Sequence, residues 1–85
     1  MRYTRVVRAN ILAEMGRREL RQSDVAAILH TSQRSVSKRM TGETDWRIGD
    51  LLHLAQAWSV PIATLLDGVE EDPFGANGTA AAVVG

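Results

Sequence analysis

The sequence predicts an all-α domain of five short helices, and three observations carry that prediction. Apolar residues recur one helical turn apart in successive segments, as in Val7, Ile11 and Met15 or Leu51, Leu54, Ala55 and Trp58. No segment alternates apolar and polar residues as a half-buried strand would. Helix punctuation separates the segments, with hydroxyl or acidic residues ahead of the stripes, Gly16 and Gly42 behind them, and Pro61 before the last. The 85 residues are enough for one small domain, stable by a narrow margin.

The first helix is expected over Thr4 to Met15, closed by Gly16 and the charged run Arg17-Arg18-Glu19, with Leu20 plugging the core from the connection. The second is expected from Gln22 to Leu29, on Val25, Ala26 and Leu29. After the break His30-Thr31-Ser32, Thr31 or Ser32 can accept an orphan backbone N–H and cap a third helix from Gln33 to Thr41, which Gly42 ends. Thr44 and Asp45 offer a cap for the fourth, Ile48 to Trp58, whose apolar face is widened by Ile48 and Leu52. Pro61 opens a short fifth helix that turns Ile62, Leu65 and Leu66 inward. Residues 1–67 therefore form the domain, and 68–85, rich in acids, glycine and alanine, read as a mobile tail.

Composition narrows the function. Without cysteine there is no disulfide, thiolate metal site or thiol nucleophile. His30 and His53 stand in separate segments without ligand neighbours, so neither a metal nor another cofactor is expected. Asp45 and Asp50 have no accompanying base, nucleophile or phosphate loop, and no enzyme is expected. No apolar run approaches the ~20 residues of a membrane span, and the first residues lack the core of a signal peptide, so a cytoplasmic protein away from membranes is the expectation. The net charge of zero conceals a split. All ten basic residues and six of the ten acids lie in residues 1–66, leaving +4 there and −4 in 67–85.

Placed on a wheel of 100° per residue, the third helix turns Val36 and Met40 to one side. Arg34, Lys38 and Thr41 fall on the opposite side with Ser37 beside them, and Ser35 and Arg39 lie on a flank. That outer face holds cations, small hydroxyls and no acid. Such a set suits phosphates, guanine edges and close approach to a groove floor, and Gln33 adds an amide suited to adenine.

Gln22 through Gly42 resembles the helix-turn-helix of the Cro and lambda-repressor-like regulators, the xenobiotic-response-element type. The matching residues are Leu20 before Gln22, Val25-Ala26, Ser32-Gln33, Val36, and Gly42-Glu43-Thr44. The run LLHLAQAWSVPIATLL is similar to that family's fourth and fifth helices, and the resemblance covers roughly residues 5–66. It implies a five-helix domain of that type. It also implies that Gln33, Arg34, Ser37 and Lys38 contact DNA bases, and that Gln22, Ser32, Ser35, Arg39, Thr44 and Arg47 contact the phosphate backbone. Ala26 would let the two helices cross closely. Three positions depart from the family pattern. His30 stands where glycine is common, Arg39 where an apolar residue is common, and Arg21 where a Ser or Thr cap is usual.

The expected function is a sequence-specific double-stranded-DNA-binding transcriptional regulator, a phage or prokaryotic repressor that occupies an operator. Its alternatives are an antitoxin that represses its own operon while its tail wraps a toxin, and an antirepressor-like protein-interaction module on the same fold. A homodimer on two half-sites is expected of this fold type, with the fifth helix, Val69 and Phe74 as candidate surfaces. The tail is the candidate contact for any protein partner. Trp46 and Trp58 are expected in the core rather than on DNA.

Overall fold

The computed structural model describes residues 2–69, and side chains from Thr4 onward. The expected tail beyond Val69, with Phe74, lies outside the described residues. Five helices follow in order: α1 (Arg2–Arg18), α2 (Gln22–Leu29), α3 (Gln33–Thr41), α4 (Ile48–Trp58) and α5 (Ile62–Leu65). No strand occurs among the described residues. The core draws Val7, Ile11 and Met15 from α1, Val25 and Ala26 from α2, Val36 and Met40 from α3, Leu51, Leu54, Ala55 and Trp58 from α4, and Leu65 from α5. Trp46 enters it from the connection before α4, and Leu20 packs on its edge. α2 lies against α3 and α4, and α5 bridges α4 to α1.

α1 runs further at both ends than Thr4 to Met15. Its C-terminal extension has a local cause. Arg17 and Arg18 lie three and four residues after Glu14, where helix geometry brings the side chains together, and both pair with that buried carboxylate. Gly16 is therefore carried inside the helix, on its exposed side. Arg18 also donates to the Trp58 carbonyl at 3.0 Å and lies over the Trp58 ring, 5.3 Å from its centroid, joining the ends of α1 and α4. The arginine hydrogen bonds, Arg17 first and then Arg18, hold the Glu14 carboxyl below its ordinary pKa, against the opposing effect of burial. A carboxyl with a depressed folded-state pKa stabilises the fold above its unfolded value, and that contribution is lost as pH falls through the folded one. Glu14→Gln should cost about 1–2 kcal/mol at pH 7 and progressively less at acid pH as the carboxyl protonates in the fold, measured by urea denaturation at each pH. An equal cost at every pH would show that ionisation is irrelevant there.

Three helices stop in the same way. Glu19, His30 and Ser59 each adopt a left-handed conformation, with φ of 54°, 55° and 56°. In each case its own N–H and the next one turn back onto the helix's last carbonyls, as with His30 N–H to Ala27 O at 3.3 Å and Thr31 N–H to Ala26 O at 3.0 Å. Glycine is the residue usually found at such positions, since a Cβ strains the left-handed region by roughly 1–2 kcal/mol. Part of that gain is offset because glycine also loosens the unfolded chain. His30→Gly should therefore stabilise by about 0.5–1 kcal/mol, a rise in Tm of roughly 2–6 °C by thermal melting. A fall in Tm would mean that the imidazole makes a stabilising contact.

The N-terminal caps differ in part from expectation. Ser32 Oγ accepts from Ser35 N–H at 3.1 Å, as a cap for α3 should. α4 is capped by neither Thr44 nor Asp45. Its N-cap is Arg47, whose N–H donates to Asp50 Oδ2 at 3.0 Å from the third helical position. Asp24 does the same for Arg21 at the start of α2, at 2.7 Å. An acid at this position thus satisfies an orphan donor where no capping hydroxyl stands. Asp45 instead accepts from the buried Thr4 hydroxyl at 2.9 Å. Ile48 and Leu52 do not widen the core face, for they are 63% and 52% exposed.

Candidate nucleic-acid interface

α3 is flanked by the caps Ser32 and Gly42, and the φ of 86° and close approach to Arg8 at Gly42 suit glycine. Arg8 reaches across from α1 to donate to the Met40 carbonyl at 3.2 Å, closing the helix's C-terminal end. Val36 and Met40 are buried, and these anchors fix which way the rest of α3 faces. Gln33 and Arg34 are exposed, and Ser37 and Lys38 half-exposed one turn along. The N–H groups of Gln33 and Arg34 have no partner within the helix, so the start of α3 offers donors as well as an exposed guanidinium. No acid lies on the helix, and the next one along the chain, Glu43, follows Gly42.

The connection to α4 folds back on this helix. Thr44 N–H donates to the Lys38 carbonyl at 3.2 Å, which sets the exposed Thr44 beside the last turn of α3. Arg47 is exposed at the start of α4. The structure thus gathers Ser32, Gln33, Arg34, Ser37, Lys38, Thr44 and Arg47 along α3 and the connection that follows it. Gln22 is half-buried at the first position of α2, and no hydrogen bond among the described residues ties it to α3.

Arg39 departs from the expected flank position. It is 8% exposed and directed inward, and its Nε donates to Asp50 Oδ2 at 3.0 Å. Its Nη1 donates to the Ser35 carbonyl at 3.1 Å and also to the Ser35 hydroxyl. The expected phosphate contact is therefore a buried ion pair binding α3 to α4, and Ser35 is engaged with it. The wheel contained a hint: Arg39 sits roughly 60° from Val36, inside the arc that packs. Its partner, eleven residues away on another helix, left no local signal. Asp50 is the residue that sequence reasoning missed, because one carboxylate oxygen both starts α4 and neutralises the arginine of α3.

Asp45 and Asp50 are thus each engaged in structural contacts, with Thr4 and Arg39 respectively. Among the described residues no group of His, Asp and Glu is placed to hold a metal ion, and no helix is long and apolar enough to cross a membrane. Both tryptophans are buried, so neither presents a stacking surface.

Comparison with known proteins finds no matching curated protein and no matching solved structure. One family model does match, that of the BetR domain, over residues 4–83. The match runs through all five helices and on past Val69. The chain therefore belongs to the BetR domain family, a family of small helical DNA-binding-type domains like the helix-turn-helix.

Proposed function

We propose that this protein is a sequence-specific regulator of transcription that binds double-stranded DNA through α3, with the docking geometry of the Cro and lambda-repressor type. One observation carries the reading. The outward side of α3 presents Gln33, Arg34, Ser37 and Lys38 free of any acid, while the remaining cation of the helix is turned inward onto Asp50. In the major groove, Gln33 reads adenine and Arg34 or Lys38 reads guanine, each by the hydrogen-bonding pattern of the base edge. Thr44 and Arg47 hold the backbone beside it, with Gln22 and Ser32 as further phosphate contacts. Occupancy of an operator blocks polymerase, so the regulator is a repressor of a phage or prokaryotic promoter, acting in the cytoplasm of the cell or infected host.

One such domain makes few contacts. Two copies would bind half-sites about 34 Å apart as a homodimer. Sedimentation with and without operator checks this, and a single copy per duplex at saturation would overturn it. The function itself is tested by selection from random duplex DNA at about 150 mM salt. Enrichment of a short motif is the expected outcome. Weak binding to all sequences without enrichment would overturn the reading in favour of a protein-interaction module.

A further inference from the structure

Among the described helices, α2 is the one that lies along α3. The far end of α3 and the connection to α4 are instead fastened by single side chains, and two of these come from α1. Arg8 Nη1 donates to the Met40 carbonyl at 3.2 Å, and the Thr4 hydroxyl donates to Asp45 Oδ1 at 2.9 Å. Thr4 and Arg8 are four residues apart, so they stand one turn from each other on the same face of α1. Their acceptors lie on either side of the turn at Gly42.

The last carbonyls of a helix lack partners within it. The Lys38 carbonyl accepts from Thr44 N–H at 3.2 Å and from the Thr41 hydroxyl at 3.1 Å, and the Arg39 carbonyl accepts from Gly42 N–H at 3.3 Å. The Met40 carbonyl takes its donor from another helix, and that donor is a cation at the negative end of the α3 dipole. Met40 is also a buried anchor of α3, so α1 holds by its backbone the residue that the core holds by its side chain. The guanidinium sits close against the turn, where a Cβ on Gly42 would come within 3.3 Å of Arg8 Nη1. Thr4 is buried, which keeps water from competing for its hydrogen bond to Asp45.

We propose that Arg8, together with Thr4, is a positioning residue for the DNA-binding face. The pair fixes the connection between α3 and α4, and with it Thr44 and Arg47, relative to Gln33 and Arg34 at the other end of α3. Base contacts and phosphate contacts are then presented as one rigid unit rather than as a helix followed by a loose loop. Arg8 itself touches no DNA, for its Nη1 is engaged by the Met40 carbonyl. The consequence for DNA rests on the proposed function of α3, whereas the fastening of the connection does not.

Two variants test it. Arg8→Met keeps the length of the side chain and removes the donor and the charge. Thr4→Val keeps the shape and removes only the hydroxyl. Amide hydrogen exchange on the free full chain reads the fastening. In each variant the Thr44 N–H, which bonds back to α3, should lose protection by about tenfold, while the amides of Ile11, Val25 and Leu54 change much less. On a selected operator each variant should bind about fivefold to tenfold more weakly, at an unchanged salt slope. Unchanged protection at Thr44 in both variants would overturn the proposal, since the connection would then hold itself. An even loss of protection over all five helices would also overturn it, by making the two side chains general stabilisers of the domain. A salt slope reduced by about 0.9 in Arg8→Met, with no change in Thr4→Val, would make Arg8 a phosphate contact instead. If the wild-type chain selects no DNA, the reading of α3 fails, and the exchange at Thr44 still decides whether α1 fastens the connection.

Discussion

Asp50→Ala should destabilise the fold by about 3 kcal/mol, among the largest effects of any single side chain in this domain. Asp50 Oδ2 accepts from Arg39 Nε at 3.0 Å and from Arg47 N–H at 3.0 Å. The side chains of the ion pair are only 10% and 16% exposed. Deleting the carboxylate strands a guanidinium in the interface between α3 and α4, and the cost of an unpaired near-buried charge exceeds what the intact pair contributes on balance. The first turn of α4 loses its cap as well, worth about another 1 kcal/mol in isolation. Asp50→Asn keeps an acceptor and should fall between wild type and alanine. Arg39→Met should be milder than Asp50→Ala, because the carboxylate it leaves behind still receives the Arg47 N–H. Urea denaturation reads the order through the midpoint at unchanged slope. A cost below about 1 kcal/mol for Asp50→Ala would show that water screens the pair as it does on an open surface.

The same contact governs the orientation of α3. Val36 and Met40 anchor the helix from one side, and Arg39 fastens it to α4 from the flank. Asp50 makes no contact with DNA in the proposed docking, yet loss of its charge would let α3 rock against α4. Where the Asp50→Asn chain remains folded, its operator affinity should fall because the reading side chains are less well oriented.

How much of this was legible in the sequence depends on how local each signal is. The limits of α2, α3 and α4 follow from their apolar stripes, and at α3 Ser32 and Gly42 also act as their chemistry predicts. α1 outran its expected end because its last turn is held by Glu14 with Arg17 and Arg18, while a non-glycine residue, Glu19, makes the left-handed stop. Periodicity placed Ile48 and Leu52 in the core because a stripe marks a face without saying how much of it the neighbours cover. α2 and α5 cover only the part of α4 carrying Leu51, Leu54, Ala55 and Trp58. The outward set on α3 was readable for the same reason as its anchors, since Val36 and Met40 fix the rotation of the helix. Arg39 was not, because its role depends on a partner that tertiary packing supplies.

Arg34→Ala is expected to weaken binding to a selected operator by about 1–3 kcal/mol, roughly fivefold to 150-fold, while binding to unrelated DNA falls much less. Arg34 is exposed at the second position of α3, where the helix N-terminus meets base edges in the proposed docking. A guanidinium there can take both acceptors of one guanine, which is why its loss should relax the sequence preference at a single position. Lys38 lies one turn further and is half-exposed, with Thr44 folded against its carbonyl. A point charge in that place discriminates less sharply between bases. Lys38→Ala should therefore lower affinity more evenly across sequences. With Arg39 withdrawn onto Asp50, the charged members of the proposed interface are Arg34, Lys38 and Arg47, exposed or half-exposed. If all three displace counterions, log affinity should fall with log salt at a slope of roughly −2.7 per chain, and at about twice that for a dimer. A slope well beyond this would mean that other arginines join the contact. A uniform loss for Arg34→Ala on every duplex, with the slope reduced by about one, would make Arg34 a phosphate contact and leave Gln33 and Lys38 to carry the sequence preference.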